Sequence, residues 1–187
     1  MLVIDIESKP NKKLNKLFKK VRPGILPADL HKAMSTSPDF CEIVCIGIKQ
    51  IGGQTRVLDS IEQLGTPEWN RVLTQMPFIT YNGKVFDLPV LIKAGVRAGV
   101  KLPYARLSKA CKKWGYGDRH LDLMEKLSFG GRWQSLDTML QIYCGIEKET
   151  KGNDFFMKAT DKELKQHCAE DLELTTKLYS KFKDVFV

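Results

Sequence analysis

Three short stretches carry acids and a histidine at spacings that could do chemistry: Asp5-Ile6-Glu7-Ser8, Asn82-Gly83-Lys84-Val85-Phe86-Asp87 and His167-Cys168-Ala169-Glu170-Asp171. In the first, the strand formers Leu2, Val3 and Ile4 run straight into the acids, and a continuous apolar run suits a strand covered on both faces. Side chains alternate along a strand, so Asp5 and Glu7 point to the same side. Two carboxylates held together in an apolar setting repel each other and lose hydration, and a divalent cation removes that penalty. An isolated Asp-x-Glu is more readily explained by a strand end where both acids simply reach water. Asp87 falls just past a strand end, where ligands gather in α/β sheets, and in the first turn of a helix, where the dipole favours an acid whatever its function. His167 and Asp171 stand at i and i+4 on one helix face. That spacing suits a shared site, or a surface pair worth about 0.2–0.5 kcal/mol.

The elements that must position these residues follow from the pattern. After the opening strand, residues 9–22 carry seven basic residues and no acid, with Leu14, Leu17, Phe18 and Val21 on one stripe of an amphipathic helix. The stripe packs on the domain, and the basic face suits a flap over a phosphate backbone. Pro23-Gly24 and Pro27 break the chain, and residues 35–38 read as loop. Residues 42–51 form the second strand, Gly52-Gly53 a turn and residues 55–58 a returning strand, giving a hairpin. Thr66 caps a helix running to about residue 75, with Pro67 at its first position. Residues 78–81 form a fourth strand, and residue 86 to about residue 99 a helix. Helical segments are expected over 121–127 and 135–145, and a polar loop over 147–153. Thr160 and Glu163 form a capping box that opens a last helix reaching about residue 182. The sum is an α/β or mixed α+β domain with a mixed sheet, an antiparallel hairpin beside parallel crossovers.

With 187 residues, 43% hydrophobic and 28% charged, the composition is that of an ordinary globular domain, large enough for one core. The net charge of +8 points to a polyanionic partner, nucleic acid ahead of membrane. No run approaches the roughly 18 apolar residues of a membrane span, and Met1 leads directly into the first strand rather than a signal peptide. Five scattered cysteines suit a reducing compartment, so an intracellular, cytoplasmic or nucleoid-associated protein is expected. Cys41 and Cys45 lack the second Cys/His pair that a zinc site needs.

Taken together and in this order, the three stretches resemble the motifs of the DEDD superfamily of 3′–5′ exonucleases. The nearest likeness is to the proofreading exonuclease domain of B-family DNA polymerases and its stand-alone relatives. The first motif stands here as Asp5-Ile6-Glu7-Ser8, with Ser in the place usually held by Thr. The second matches the pattern of Asn, three residues, an aromatic and Asp, and the third is His167-x-x-x-Asp171. Residues 42–47, His120-Leu121-Asp122-Leu123 and Ser135-Leu136-Asp137 are similar to the same lineage, so the resemblance covers nearly the whole chain. One feature departs from it. The branch with this third-motif spacing carries Tyr four residues before the Asp, and the branch that uses His places it five before; this chain combines the His with the Tyr spacing.

The resemblance implies a ribonuclease H-like α/β fold, with a mixed sheet flanked by helices, as one exonuclease domain over 1–187 with a basic insertion at 9–40. It implies two divalent cations, Mg²⁺ or Mn²⁺, held by Asp5, Glu7, Asp87 and Asp171, with His167 taking the proton of the attacking water. Asp5 would bridge the cations, Glu7 and Asp171 would complete one of them, and Asp87 would serve the second. Ile6 and Ser8 would line the pocket of a splayed terminal nucleotide, Asn82 would bond its sugar or phosphate, and Phe86 would aim Asp87. Lys84 and the basic 9–22 segment would hold phosphates, while Asp122 and Asp137 read as caps or structural acids. The expected activity is release of nucleoside 5′-monophosphates from single-stranded 3′ ends, DNA ahead of RNA, with a replication or repair protein as a partner in trans. A catalytically inactive nucleic-acid-binding module on the same fold, and a ribonuclease H-like endonuclease, are the alternatives.

Overall fold

A computed structural model describes residues 1–112, 119–148 and 153–186, without the side chains of Asn153, Asp154 and Met157. Strands β1 (Leu2–Pro10), β2 (Cys41–Gln50), β3 (Thr55–Leu58), β4 (Phe78–Thr80) and β5 (His120–Asp122) form one sheet in the order β3-β2-β1-β4-β5. The expected hairpin is there: β1 pairs antiparallel with β2, and β2 with β3. On its other edge β1 runs parallel to β4, and β4 to β5. The sheet is therefore mixed.

The strand periodicity of two decides which way β1 faces. Leu2, Ile4 and Ile6 join Ile46, Ile48 and Phe78 in a core closed by Leu73 of α3 (Pro67–Gln75), Leu88 and Leu91 of α4 (Asp87–Ala98) and Leu107 of α5 (Tyr104–Ala110). Val3 and Ile79 pack on the opposite face. Their partners are Leu123 of α6 (Leu123–Leu127), Leu140 of α7 (Leu136–Cys144), and Leu172 and Leu178 of α9 (Asp161–Phe182). Asp5 and Glu7 alternate with Ile4 and Ile6, so they share Val3's face and look toward α9. Among the described residues no helix is long and apolar enough to cross a membrane.

Helix α9 opens on the expected capping box, Thr160 Oγ1 accepting from the Glu163 amide while the Glu163 carboxylate accepts from the Thr160 amide. Its buried positions, Leu164, His167, Cys168, Leu172, Thr175 and Leu178, follow a helical stripe. Close approach to the sheet depends on Gly47, which pairs with Asp5 across the β1–β2 ladder. A Cβ there would sit 2.6 Å from Cys168 Sγ and 2.7 Å from Leu172 Cδ1. Gly47→Ala is expected to push α9 outward, lowering stability by about 1–3 kcal/mol through overpacking. A thermal melt checks this, with a fall of about 2–10 °C for a chain this long.

The basic segment differs from its expected form. β1 continues to Pro10, a 3₁₀ turn covers Lys12–Leu14, and α1 (Asn15–Val21) is short. Of the apolar stripe only Phe18 is buried, edge-on to Phe40 at 4.9 Å, while Leu17 and Val21 are exposed. Pro27 opens a helix rather than breaking the chain: it holds the first position of α2 (Pro27–Ser35), where its missing N–H costs nothing. Residues 120–122 form β5 instead of the first turn of a helix, because β4 offers a parallel edge for three residues to pair with. Helix α8 (Asn153–Lys158) precedes α9, and the loop expected over 147–153 lies largely outside the described residues.

Candidate active site

β1 and β4 run parallel with Val3 opposite Ile79, so β1 carries Asp5 and Glu7 just past the carboxyl end of β4, the side of a parallel pair where ligands gather. Asp5 and Glu7 arrive on β1. β4 ends at Thr80, and the chain turns through residues 81–86 into α4, whose first residue is Asp87.

That turn is held from two sides. Asp122 accepts the amide N–H groups of Asn82 and Lys84, each at 2.9 Å, as well as the Met124 amide at the start of α6. Thr80 Oγ1 accepts the Gly83 amide at 3.1 Å and lies 2.8 Å from His120 Nε2. His120 Nδ1 is 2.7 Å from the Ala110 carbonyl. A carbonyl can only accept, so Nδ1 carries the ring proton and Nε2 accepts from Thr80; burial, which lowers the pKa of His120, keeps the ring neutral. Asn82 takes a left-handed backbone, φ 69°, a conformation Asn tolerates better than most residues. Gly83 has no room for a Cβ, which would fall inside the Thr80 side chain. Asp122 is thus a cap, as expected. Asp137 is instead a structural acid: Ser135 caps α7, and the Asp137 carboxylate accepts Gln141 Nε2 at 3.0 Å and the Lys148 amide at 3.2 Å.

The acids of all three stretches converge. Asp5 Oδ2 is buried without a hydrogen-bond partner. Burial first, and then repulsion from Glu7, Asp87 and Asp171, push the Asp5 carboxyl far above its ordinary range. Asp87, 4% exposed, is pushed up to about 8 chiefly by burial, with Asp122 and Glu7 adding repulsion and the backbone amides of Asp87 and Ile6 acting the other way. Glu7 is raised by burial and held back by His167. The His167 ring is buried against Phe155 and Phe156, its Nδ1 2.8 Å from Glu7 Oε1 and 4.0 Å from Asp171 Oδ2.

One participant has no signal in the sequence. Lys148 Nζ lies 2.5 and 2.8 Å from the two Asp171 carboxylate oxygens, both side chains largely buried. Its amide is fixed by Asp137 at the start of α7, so α7 and α9 together place an ammonium group on the third acid. A lysine in a polar stretch between helices has no spacing that foretells this.

A cavity of about 300 Å³ opens beside the acids. Asp5, Glu7, His167 and Asp171 line it, as do Ile6, Ser8, Phe86 and Phe156. Residues of α2 complete it, among them His31 and Ser35, whose carbonyl accepts the Ser8 hydroxyl at 2.8 Å. Asn82 is elsewhere, in a small recess with Val85, Asp122 and Trp133. Lys84, expected to meet phosphate, does not reach solvent. It is 4% exposed with Nζ 2.9 Å from Glu125 Oε2, drawn inward because Asp122 pins its amide.

As they stand, no three His, Cys, Asp or Glu side chains among the described residues are grouped to hold a metal ion. The donor set nevertheless suits one. Asp5 offers a buried oxygen with no partner, and the raised carboxyls mark a charge deficit that a cation would fill.

The family described as "predicted 3′–5′ exonuclease related to the exonuclease domain of PolB" matches residues 33–185, a span that includes Asp87, His167 and Asp171 but not β1. No curated protein matches the chain. Among solved structures, the family B DNA polymerase of the hyperthermophilic archaeon Pyrobaculum calidifontis is similar with a TM-score of 0.63 and 16% identity over 97% of this chain. The chain spans 24% of that polymerase's length. The likeness is one of fold, and the five-stranded mixed sheet flanked by helices is the ribonuclease H-like architecture expected from the sequence.

Proposed function

The chain belongs to the family of predicted 3′–5′ exonucleases related to the exonuclease domain of PolB, and from that membership and the site's geometry we propose that it removes nucleotides from single-stranded 3′ ends, DNA ahead of RNA, as nucleoside 5′-monophosphates. The observation that carries this reading is the convergence of Asp5, Glu7, Asp87 and Asp171 from three separate elements around a buried Asp5 oxygen with no partner. Their oxygen donors suit Mg²⁺ or Mn²⁺, which when bound would supply the positive charge that phosphodiester hydrolysis needs at the attacking and leaving oxygens.

The chain's own residues then take distinct parts. Glu7 Oε1 holds His167 by Nδ1, leaving Nε2 as the ring nitrogen that accepts the proton of a water in the cavity. Lys148 pairs with Asp171 and holds its carboxylate in place. Ile6, Ser8 and Phe86 line the cavity that receives the terminal nucleotide, and the net charge of +8 favours the polyanion.

The test compares a 5′-labelled linear strand with a closed circle of the same sequence, each with Mg²⁺ or Mn²⁺. The linear strand is expected to shorten stepwise from its 3′ end while the circle stays intact. Cutting of the circle would make the protein an endonuclease, and binding without cleavage would make it a nucleic-acid-binding module.

A further inference from the structure

Lys84 and Glu125 form a charge pair sealed inside the protein, Nζ 2.9 Å from Oε2, with the two side chains 3% and 7% exposed. Taking two charges out of water is costly, and an apolar pair of similar size often serves stability as well or better. Stability alone therefore does not account for the pair. What it adds over an apolar contact is direction, because burial of apolar surface is non-directional whereas a charge-assisted hydrogen bond fixes geometry.

The direction follows from where the two residues stand. Lys84 lies in the turn three residues before Asp87, and Glu125 in the first turn of α6. Lys84 is held at both ends. Its amide donates to Asp122 Oδ2 at 2.9 Å, and its ammonium meets Glu125, so both partners belong to the start of α6. The turn winds on into α4 through the Phe86 and Leu88 amides, which donate to the Asn82 and Gly83 carbonyls at 3.1 and 2.9 Å. Helix α4 has no side-chain cap of its own, since Phe86 stands at its N-cap. Its first residue, Asp87, is therefore aimed by an anchor outside the helix. We propose that Lys84 and Glu125 are positioning residues, whose pair clamps the turn to α6 and sets the direction from which the Asp87 carboxylate joins Asp5, Glu7 and Asp171. The proposal rests on the exonuclease reading for what Asp87 does once placed, and not for the clamp itself.

Lys84→Met combined with Glu125→Leu removes both charges and leaves neither buried alone, so the melting temperature is expected to stay within about 4 °C of the unaltered protein. In chelator, amide hydrogen exchange over residues 82–88 is expected to quicken about tenfold while α9 keeps its protection. Mn²⁺ affinity is expected to weaken about 10–100-fold, the range for residues that orient a metal ligand. Should the double variant unfold, Glu125→Gln, which keeps the shape and deletes one charge, is read by the same two measurements. Unchanged exchange over 82–88, or unchanged Mn²⁺ affinity with exchange raised, would overturn the proposal. If the unaltered protein takes up no Mn²⁺, the cation centre fails and with it the exonuclease reading, and exchange alone decides the clamp. Quicker exchange confined to 82–88 then supports it, and exchange unchanged or raised throughout the chain removes it.

Discussion

Asp5→Asn is expected to remove cation-dependent cleavage almost completely, by more than the ~10–100-fold typical of residues that only support a metal ligand. The same substitution is expected to stabilise the protein when no divalent cation is present. Asp5 is half-buried, its Oδ2 is enclosed without a partner, and three further acids crowd it. Asn keeps the shape and deletes the charge. The sign follows from linkage. A carboxyl whose folded pKa is raised contributes stability that is full below its unfolded pKa and lost as pH rises through the folded one. For Asp87 that window runs from 3.8 to about 8, and Asp5 shifts in the same direction. The melting temperature of the cation-free protein should therefore fall as pH rises across that window, and fall less steeply in Asp5→Asn. At pH 8 the variant should melt about 2–8 °C higher, corresponding to about 1–2 kcal/mol. A lower melting temperature for Asp5→Asn in chelator would contradict this account of the site.

His167→Gln is expected to cost about 10²–10⁴-fold in kcat with little change in KM, the range of a lost general base. Gln can still donate to Glu7 Oε1, replacing the 2.8 Å contact from Nδ1, so the buried carboxylate keeps a partner and the fold is preserved. What it cannot do is take a proton. His167→Ala should lose the same activity and also melt lower, because it leaves Glu7 buried without its donor. Full activity in His167→Gln would reduce His167 to a positioning residue for Glu7. The question turns on the four-residue spacing of His167 and Asp171 on α9. At that spacing the ring lies between Glu7 and Asp171, 2.8 Å from the first and 4.0 Å from the second.

The parts of the site that rest on strong periodicities were legible in the sequence. Asp5 and Glu7 share a face because a strand alternates, and Val3 confirms which face by packing with Leu172. His167 and Asp171 share a face because the capping box at Thr160 fixes the start of a long helix. What could not be read depends on contacts between distant segments. β5 is three residues long and exists by pairing with β4, yet it delivers the Asp122 carboxylate that shapes the turn before Asp87. Lys148 reaches Asp171 only because α7 and α9 pack together, and Lys84 turns inward to Glu125 for a reason that no local pattern shows. Pro27 misleads for another reason. Proline reads as a breaker unless its position within a helix is known, and here it begins the helix that supplies His31 and Ser35 to both cavity and strand.

The most direct test of the central claim, that these four acids form a divalent-cation centre, is a Mn²⁺ titration followed by electron paramagnetic resonance, which reads the free ion. The unaltered protein is expected to take up Mn²⁺ saturably, with more than one ion per chain and competition by Mg²⁺, and Asp5→Asn to lose that uptake. Equal uptake by the two proteins, or none by either at millimolar Mn²⁺, would contradict the claim and with it the hydrolytic role assigned to the site.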